Sequence, residues 1–284
     1  MRLVDWAIRD RVLSTSDRTL IMGVVNVTPD SFSDGGLYLG AERAIEHGLQ
    51  LYGDGADLVD VGGESTRPGA EPVSTPEEIR RVVPVIAGLA KAGVPVSVDT
   101  SKPAVAAAAL DEGALVVNDI TALGDPAMAP LVAAAGCGVV LMHMQGIPQN
   151  MQEHPTYRDV AVEVADFLEK RARLAEEAGV ERRYICIDPG IGFGKAQHHN
   201  LELLARLDVL VATGYPVLVG TSRKSFLGRI LDEPDPTERD VATAATVAIA
   251  VIRGAAVVRV HNVEMARQAV LIADAIVHSG KEDG

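Results

Sequence analysis

The chain has 284 residues, of which 48% are hydrophobic and 23% charged, and its formal net charge is −13. This composition is typical of a globular protein and excludes global disorder, and the acidic balance, with no long basic run, argues against a nucleic-acid partner. With only two cysteines, no leader-like apolar core at the N-terminus and no apolar stretch of membrane-spanning length, we expect a cytoplasmic protein without a membrane partner.

Short runs rich in β-branched residues recur along the chain, and each ends in a polar residue or glycine. Near-continuous apolar runs of this length indicate parallel strands that are covered on both faces. In chain order the predicted strands are Thr19–Asn26, Asp57–Gly63, Val94–Thr100, Leu115–Ile120, Val139–Met144, Tyr184–Gly190, Pro216–Ser222 and Ala256–His261.

Segments with helical spacing of apolar residues lie between these runs. Eight strands that alternate with eight helices predict an α/β fold, a (β/α)8 TIM barrel. A doubly wound sheet is the main alternative, but no glycine fingerprint follows the first strand. We predict one domain over residues 1–284, with the barrel at about 19–278, a short N-terminal extension and a frayed C-terminal tail. The clearest predicted helices are Ala41–Tyr52, Pro76–Ala90, Tyr157–Ala178, Asn200–Val211 and Arg239–Ile252.

Polar side chains stand at nearly every predicted strand end, which is where the active site of such a barrel forms. Any one of them is more often a cap or a turn former than a ligand. Together they are expensive to bury unless they pair with each other or with a ligand, so the set predicts a polar pocket. The residues are Asn26, Asp60, Asp99, Asn118, His143, Asp188, Arg259 and His261.

The last strand carries two cationic side chains. Arg259 and His261 are two positions apart, so both lie on one face of the strand, and at the barrel mouth they would bind a phosphate or carboxylate. A structural salt bridge from these side chains to Asp60 or Asp99 is the alternative interpretation of the same pattern.

Two further segments and a metal ligand belong to the predicted site. Asp188–Lys195 (DPGIGFGK) lacks P-loop spacing and predicts a tight turn, in which Phe193 packs either on a flat ligand or locally. Ser222–Ser225 (SRKS) begins a helix, where backbone N–H groups favour anions. No zinc-ligand spacing is present, but Asn26 with the carboxylates suits Mg²⁺ that bridges substrate phosphates.

Taken together, these segments resemble the dihydropteroate synthase family, whose members join a pterin to 4-aminobenzoate. They run in order from Asn26 to His261 and cover most of the chain, and although each is weak alone, the set is specific. Asn262 and Ile147 depart from the family's usual Asp and Thr. The matching motifs are NVTPDSFSDGG, DVGGESTRPGA, SVDT, VND, LMHMQG, DPGIGFGK with HNLELL, GTSRKSFLG and RVH.

The resemblance implies a reaction in which 4-aminobenzoate displaces pyrophosphate from (7,8-dihydropterin-6-yl)methyl diphosphate to give 7,8-dihydropteroate. It also implies a homodimer and a sulfonamide target. The pterin pocket would use Asp99, Asn118, Met142, Asp188, Phe193 and Lys224, and the diphosphate would contact Asn26, Arg259, His261 and Mg²⁺, with Asn26 as the metal ligand. Among these, Asn26, Lys224, Arg259 and His261 would be catalytic. The 4-aminobenzoate pocket would use Phe32, Asp34, Thr66, Arg67, Pro68 and Ser225.

Three alternative functions remain at this point. Another pterin-binding barrel, such as a methyltetrahydrofolate methyltransferase domain, would share the strand-end Asp and Asn residues but has no use for cations that bind a diphosphate. A paralogue that binds pterin without turnover is a second alternative, although Asn26, Arg67, Lys224 and His261 are all present. The third is a structural barrel whose polar strand ends form only a salt-bridge network.

Overall fold

Eight parallel strands within the described residues form the wall of a barrel. The computed structural model describes residues 4–15, 18–27, 36–65 and 71–279, and in residues 36–39 the backbone only. An antiparallel hairpin, β1 (Trp6–Ile8) and β2 (Arg11–Leu13), precedes the wall. The wall strands are β3 (Leu20–Asn26), β4 (Leu58–Gly62), β5 (Val96–Asp99), β6 (Val116–Asp119), β7 (Gly138–Met142), β8 (Ile185–Asp188), β9 (Leu218–Val219) and β10 (Val257–Val260).

The wall closes on itself. From β3 to β8 each strand pairs in parallel with the next one along the chain, and β10 pairs with both β3 and β9. A parallel bridge between Ile187 and Val217 joins β8 to the start of β9, and the Ile187 N–H donates to the Pro216 carbonyl over 2.9 Å. The predicted (β/α)8 fold is therefore confirmed.

One or two helices follow each wall strand. The single helix predicted over Asn200–Val211 is wrong, because the backbone leaves helical geometry at Arg206 (φ −115°), where the guanidinium bonds Asp159. The described residues contain α1 (Gly36–Gly53), α2 (Thr75–Lys91), α3 (Pro103–Asp111), α4 (Met128–Ala135), α5 (Val160–Glu177), α6 (Gln197–Ala205), α7 (Asp208–Val211), α8 (Ser225–Leu231), α9 (Asp240–Ile252) and α10 (Val263–His278).

The amino-terminal hairpin fills one end of the barrel. Trp6 and Ile8 are fully buried against apolar residues near the starts of the wall strands, including Leu20, Leu58 and Leu218. The indole Nε1 of Trp6 donates to the carbonyl of Tyr184 over 2.9 Å, which satisfies its one polar atom. The amino-terminal end of the barrel is therefore closed by apolar side chains, and a polar site is expected at the opposite end, where the strands have their carboxyl ends.

Candidate active site

An open cleft of about 1730 Å³ lies at the carboxyl ends of the wall strands. A pocket for one small molecule typically encloses about 300–1000 Å³. The cleft is therefore large enough for two small substrates that must meet.

The residues predicted from the sequence converge on this cleft from strands that are distant in the chain. Five of them, Phe32, Asp34, Thr66, Arg67 and Pro68, lie outside the described residues. The other ten all line the cleft: Asn26, Asp99, Asn118, Met142, Asp188, Phe193, Lys224, Ser225, Arg259 and His261.

Arg259 joins two carboxylates at the base of the cleft. Its Nε lies 2.7 Å from Asp60 Oδ2, and its Nη2 lies 2.8 Å from Asp99 Oδ2. Asp60 is fully buried, and its Oδ2 also accepts a 3.0 Å hydrogen bond from Asn118 Nδ2. The salt bridge left open by the sequence is thus present, and it involves both candidate carboxylates while Arg259 still lines the cleft.

The Asp99 carboxyl binds a proton more tightly than an exposed aspartate does. Burial raises the pKa of Asp99 to about 7; the charge of Arg259 opposes this effect, while that of Asp60 adds to it. Near neutral pH, Asp99 is therefore partly protonated, and Asp60 keeps the charge of Arg259 balanced beside Asn118. Because carboxylate oxygens accept hydrogen bonds, the cluster is suited to a ligand that brings hydrogen-bond donors.

Asp188 ends β8 on the opposite side of the cleft. Its Oδ1 accepts a 2.7 Å hydrogen bond from the backbone N–H of Gly190, and burial raises the pKa of the carboxyl. Met142 lies beside it in register on β7 and is nearly buried. The pair combines a fixed carboxylate with an apolar surface, which suits one edge and one face of a planar heterocycle.

Lys224 and Phe193 face each other in the same cleft. The Lys224 ammonium lies 3.9 Å from the centre of the Phe193 ring, a cation–π geometry. Gly192, with φ +84°, passes so close that a Cβ there would lie 3.1 Å from Lys224 Cδ. The left-handed backbone is what favours glycine at this position of the predicted turn, since the flexible Lys224 side chain can move away from a Cβ.

Ser222 connects β10 to the turn that follows β9. Its hydroxyl oxygen lies 2.9 Å from His261 Nδ1 and also accepts a 3.1 Å hydrogen bond from the His261 backbone N–H. Ser225 begins α8 immediately after Lys224. Cationic and hydroxyl groups thus gather on one side of the cleft, where an anionic group would be stabilised.

A buried lysine in the wall of the cleft, Lys195, was not predicted as a site residue. Lys195 Nζ donates to the carbonyl of Phe193 over 2.9 Å and lies 2.9 Å from His143 Nδ1. Burial lowers the pKa of Lys195 to about 7 and that of His143 to about 3. The sequence shows only a lysine at the end of a glycine-rich turn, and lysine is ordinarily exposed, so nothing in the pattern indicated its burial.

Asn26 is the candidate metal ligand. It ends β3, is exposed and lines the cleft. Among the described residues, no group of three or more His, Cys, Asp or Glu side chains could hold a metal ion. The amide oxygen of Asn26 is a ligand type that a hard cation accepts, and the other ligands of such an ion would have to come from a bound diphosphate and water.

The fold and the cleft together define a barrel enzyme that binds a flat, polar heterocycle and an anion. Residues 22–261 match the model of the pterin binding enzyme family, so the chain belongs to this family. Dihydropteroate synthase of Bacillus subtilis (strain 168) is 46% identical over 270 residues, which cover 94% of this chain and 92% of that protein. By this identity and coverage, the chain groups with the dihydropteroate synthases.

Solved structures agree with this assignment. A dihydropteroate synthase of Xanthomonas albilineans with 4-aminobenzoic acid has a TM-score of 0.90 and 45% identity, and the match covers 96% of this chain and 98% of the other. The Burkholderia cenocepacia enzyme complexed with 7,8-dihydropteroate has a TM-score of 0.89 and 40% identity, with 99% of each chain covered. In the described part of the chain, no helix is both long enough and apolar enough to span a membrane.

Proposed function

We propose that this chain joins (7,8-dihydropterin-6-yl)methyl diphosphate to 4-aminobenzoate and releases pyrophosphate and 7,8-dihydropteroate, as a step of folate biosynthesis. The observation that carries this proposal is that Asp99, Asp188 and Lys224 line one cleft, as a shared pterin site requires. The 4-aminobenzoic acid and 7,8-dihydropteroate in the two related structures support the same substrate and product here.

The pterin would lie between the two sides of the cleft. Asp188 would accept two hydrogen bonds from the amino-pyrimidinone edge, with the Gly190 N–H fixing the carboxylate's orientation. Asp99 and Asn118 would bond the polar atoms of the second ring, and Lys224 would donate to the ring carbonyl. Met142 and Phe193 would pack on the ring faces, where they add contact area without fixing the orientation of the pterin.

The diphosphate would extend toward the last strand. Arg259 uses Nε and Nη2 for Asp60 and Asp99, so Nη1 is its donor toward a phosphate oxygen. The His261 ring would add a second donor, and the Ser222 hydroxyl beside Nδ1 would set its orientation. Two preorganised donors at the leaving group fit a reaction whose charge develops there.

The chemical step is a substitution at the pterin methylene carbon. The arylamine nitrogen forms a bond to this carbon while the carbon–oxygen bond to the diphosphate breaks and its electron pair leaves with pyrophosphate. The extra amine proton passes to solvent, because a neutral arylamine is nucleophilic without a dedicated base. Removing one donor that stabilises the leaving group is expected to raise the barrier by about 3–4 kcal/mol.

We propose Mg²⁺ as the cofactor, with the amide oxygen of Asn26 as its ligand from the protein. When bound, Mg²⁺ would neutralise charge on the diphosphate. The exposure of Asn26 at the end of β3 supports a ligand that is shared with substrate and water.

The 4-aminobenzoate site would adjoin Lys224. Ser225, the next residue, would bond the carboxylate of 4-aminobenzoate, and Phe32, Asp34, Thr66, Arg67 and Pro68 stay predictions for the rest of that pocket. Sulfonamides that resemble 4-aminobenzoate would compete at the same place.

We also propose a homodimer that acts in the cytoplasm. Large apolar side chains are exposed on α9 and α10, a face that a second copy would cover. Cys137 and Cys186 are both buried free thiols, which supports a reducing compartment. The exposed large apolar residues on the two helices are Val241, Ile249, Ile252, Leu271, Ile272, Ile276 and Val277.

The proposed reaction is tested by following pyrophosphate release with both substrates and Mg²⁺ present. We expect release that requires 4-aminobenzoate and matches the 7,8-dihydropteroate formed. Benzoate is the matched control, because it has the carboxylate but no nucleophilic amine, and it should support no release. Release that is equally fast without 4-aminobenzoate, or no release at all, would contradict the proposal.

A further inference from the structure

Arg223 has a left-handed backbone between two residues of the proposed site. Its φ is +59°, and the Lys224 N–H donates to the Thr221 carbonyl over 3.2 Å, which closes a four-residue turn with Arg223 in third position. A positive φ at this position ordinarily selects glycine or asparagine. Arginine is disfavoured there, so other contacts must hold it.

Three side chains supply those contacts, Arg239 just before α9 and Asp240 and Thr243 in its first turn. Asp240 accepts hydrogen bonds from Arg223 Nε over 2.8 Å and from Nη2 over 2.9 Å. Thr243 Oγ1 accepts from the Arg223 backbone N–H over 3.2 Å, and Arg239 Nη1 donates to the Arg223 carbonyl over 3.2 Å. The guanidinium, the N–H and the carbonyl of one residue are thus all bound by one short segment.

The binding segment is itself fixed. Arg239 is nearly buried and its Nε donates to the Glu233 carbonyl over 3.0 Å. Asp240 accepts a further 3.0 Å hydrogen bond from Asn262 Nδ2, next to His261. Since β9 ends at Val219, the turn lies beyond the strand, where His261 after β10 holds Ser222 and the segment at the start of α9 holds Arg223.

Arg223 lines the cleft, so a direct contact with the diphosphate is the competing explanation. Its guanidinium, however, is engaged by both oxygens of Asp240, which offset its charge. Its neighbours carry the proposed contacts: Ser222 bonds His261, and Lys224 lies over Phe193. The backbone of Arg223 therefore has the larger influence on the site.

We propose that Arg223 and Asp240 are positioning residues: their ion pair keeps the turn left-handed and so orients Lys224 and Ser225 toward the two substrates. This inference rests on the proposed function, which assigns the contacts of Lys224 and Ser225. Arg223 and Asp240 would act on the site through the backbone of the turn and not through contact with a substrate.

The decisive comparison is Arg223→Ala against Arg223→Gly. Both variants lose the guanidinium, but only glycine adopts the left-handed backbone readily. We expect Arg223→Ala to raise KM for 4-aminobenzoate about tenfold over Arg223→Gly, the factor that corresponds to the left-handed preference. A mere loss of folded enzyme would lower kcat and leave KM unchanged. Equal KM values for the two variants, or no change in either, would overturn the proposal.

Arg206 provides a matched control. It also binds a carboxylate with two nitrogens, at 3.0 Å each from Asp159, but its φ is −115°. Arg206→Ala and Arg206→Gly should therefore have the same KM as each other and as the wild type. A preference for glycine at this position too would remove the link to the left-handed backbone and contradict the proposal.

Asp240→Asn tests the other half of the pair, and it keeps an acceptor for Asn262. We expect it to raise KM in the wild-type background but to have no further effect in Arg223→Gly, where its partner is absent. Additive effects would contradict coupling between the two residues.

Amide hydrogen exchange of residues 221–226 without substrates gives a readout independent of turnover. Exchange should be faster in Arg223→Ala and Asp240→Asn than in Arg223→Gly. If the wild type released no pyrophosphate, the proposed function would fail. The order of the exchange rates among the variants would still support or overturn the positioning role, because it does not depend on turnover.

Discussion

Arg259 and Asp60 lie in contact at the base of the cleft, with 2.7 Å between Arg259 Nε and Asp60 Oδ2, although 199 positions separate them in the chain. Asp60 is fully buried, and among the residues that the structure describes its Oδ1 finds no hydrogen-bond partner. Since a buried carboxylate is stable only beside a compensating charge, Arg259 supports the barrel as well as the proposed diphosphate site.

Arg259→Met should therefore destabilise the protein by about 3–5 kcal/mol, because Asp60 keeps its burial and loses its charged partner. Urea denaturation followed by circular dichroism measures the loss. Arg173→Met is the control, since Arg173 and Glu169 form an exposed pair on α5 that is worth about 0.5 kcal/mol or less. Similar losses of unfolding free energy in the two variants would show that the buried ion pair stabilises the protein no more than an exposed one, and would contradict the prediction.

The stability of the wild type should also increase with pH because of Lys195. Its folded-state pKa is about 7, whereas a lysine in the unfolded chain titrates near 10.5. Between these values the unfolded chain holds a proton that the folded chain has released, so the free energy of unfolding rises with pH, by up to about 1.4 kcal/mol per pH unit.

Lys195→Met lacks this group. The free energy of unfolding of the wild type, relative to that of the variant, should therefore increase as the pH rises from about 7 to about 9. Urea denaturation of both proteins across that range measures the gain. Parallel stability curves would mean that Lys195 titrates alike in the folded and unfolded chains, and they would contradict this prediction.

Removal of the metal should stop the reaction. With excess chelator we expect no pyrophosphate release, and added Mg²⁺ should restore it, because the diphosphate then regains its counter-charge. Asn26→Ala should raise the Mg²⁺ concentration needed for half-maximal rate, while Asn26→Asp, which keeps an oxygen ligand, should not. Undiminished turnover in chelator would remove Mg²⁺ from the mechanism.

Ile272→Glu should separate the proposed dimer, because it places a charge on a side chain that is 65% exposed on α10. Sedimentation velocity distinguishes one copy from two. Leu174→Glu, on an exposed side chain of α5, is the control and should leave the dimer intact. A wild type that sediments as a monomer would contradict the proposed face.

The barrel could be predicted from the sequence because its strands have a local signature. Val139–Met144 and Leu115–Ile120, for example, were predicted within two residues of β7 and β6, since a strand covered on both faces is apolar throughout. The hairpin at Trp6 was not predicted. Its burial depends on the barrel floor, which residues far along the chain supply.

The members of the site could be predicted, but many of their partners could not. Polar residues at strand ends are visible as such, and six of the eight named from the sequence line the cleft, all except Asp60 and His143. The position of Arg259 between Asp60 and Asp99 depends on strand order and side-chain reach. Likewise, the left-handed backbone of Arg223 follows from contacts with α9, and no local turn signal announces it.

The most direct test of the whole account is the rate of pyrophosphate release by Lys224→Ala, measured beside the wild type and the exposed-lysine control Lys91→Ala. Lys224 is proposed to bond the pterin and to border 4-aminobenzoate, so its loss should reduce kcat/KM about 100-fold or more while circular dichroism shows a folded protein. The control should match the wild type. A folded Lys224→Ala enzyme with near-normal turnover would contradict the account.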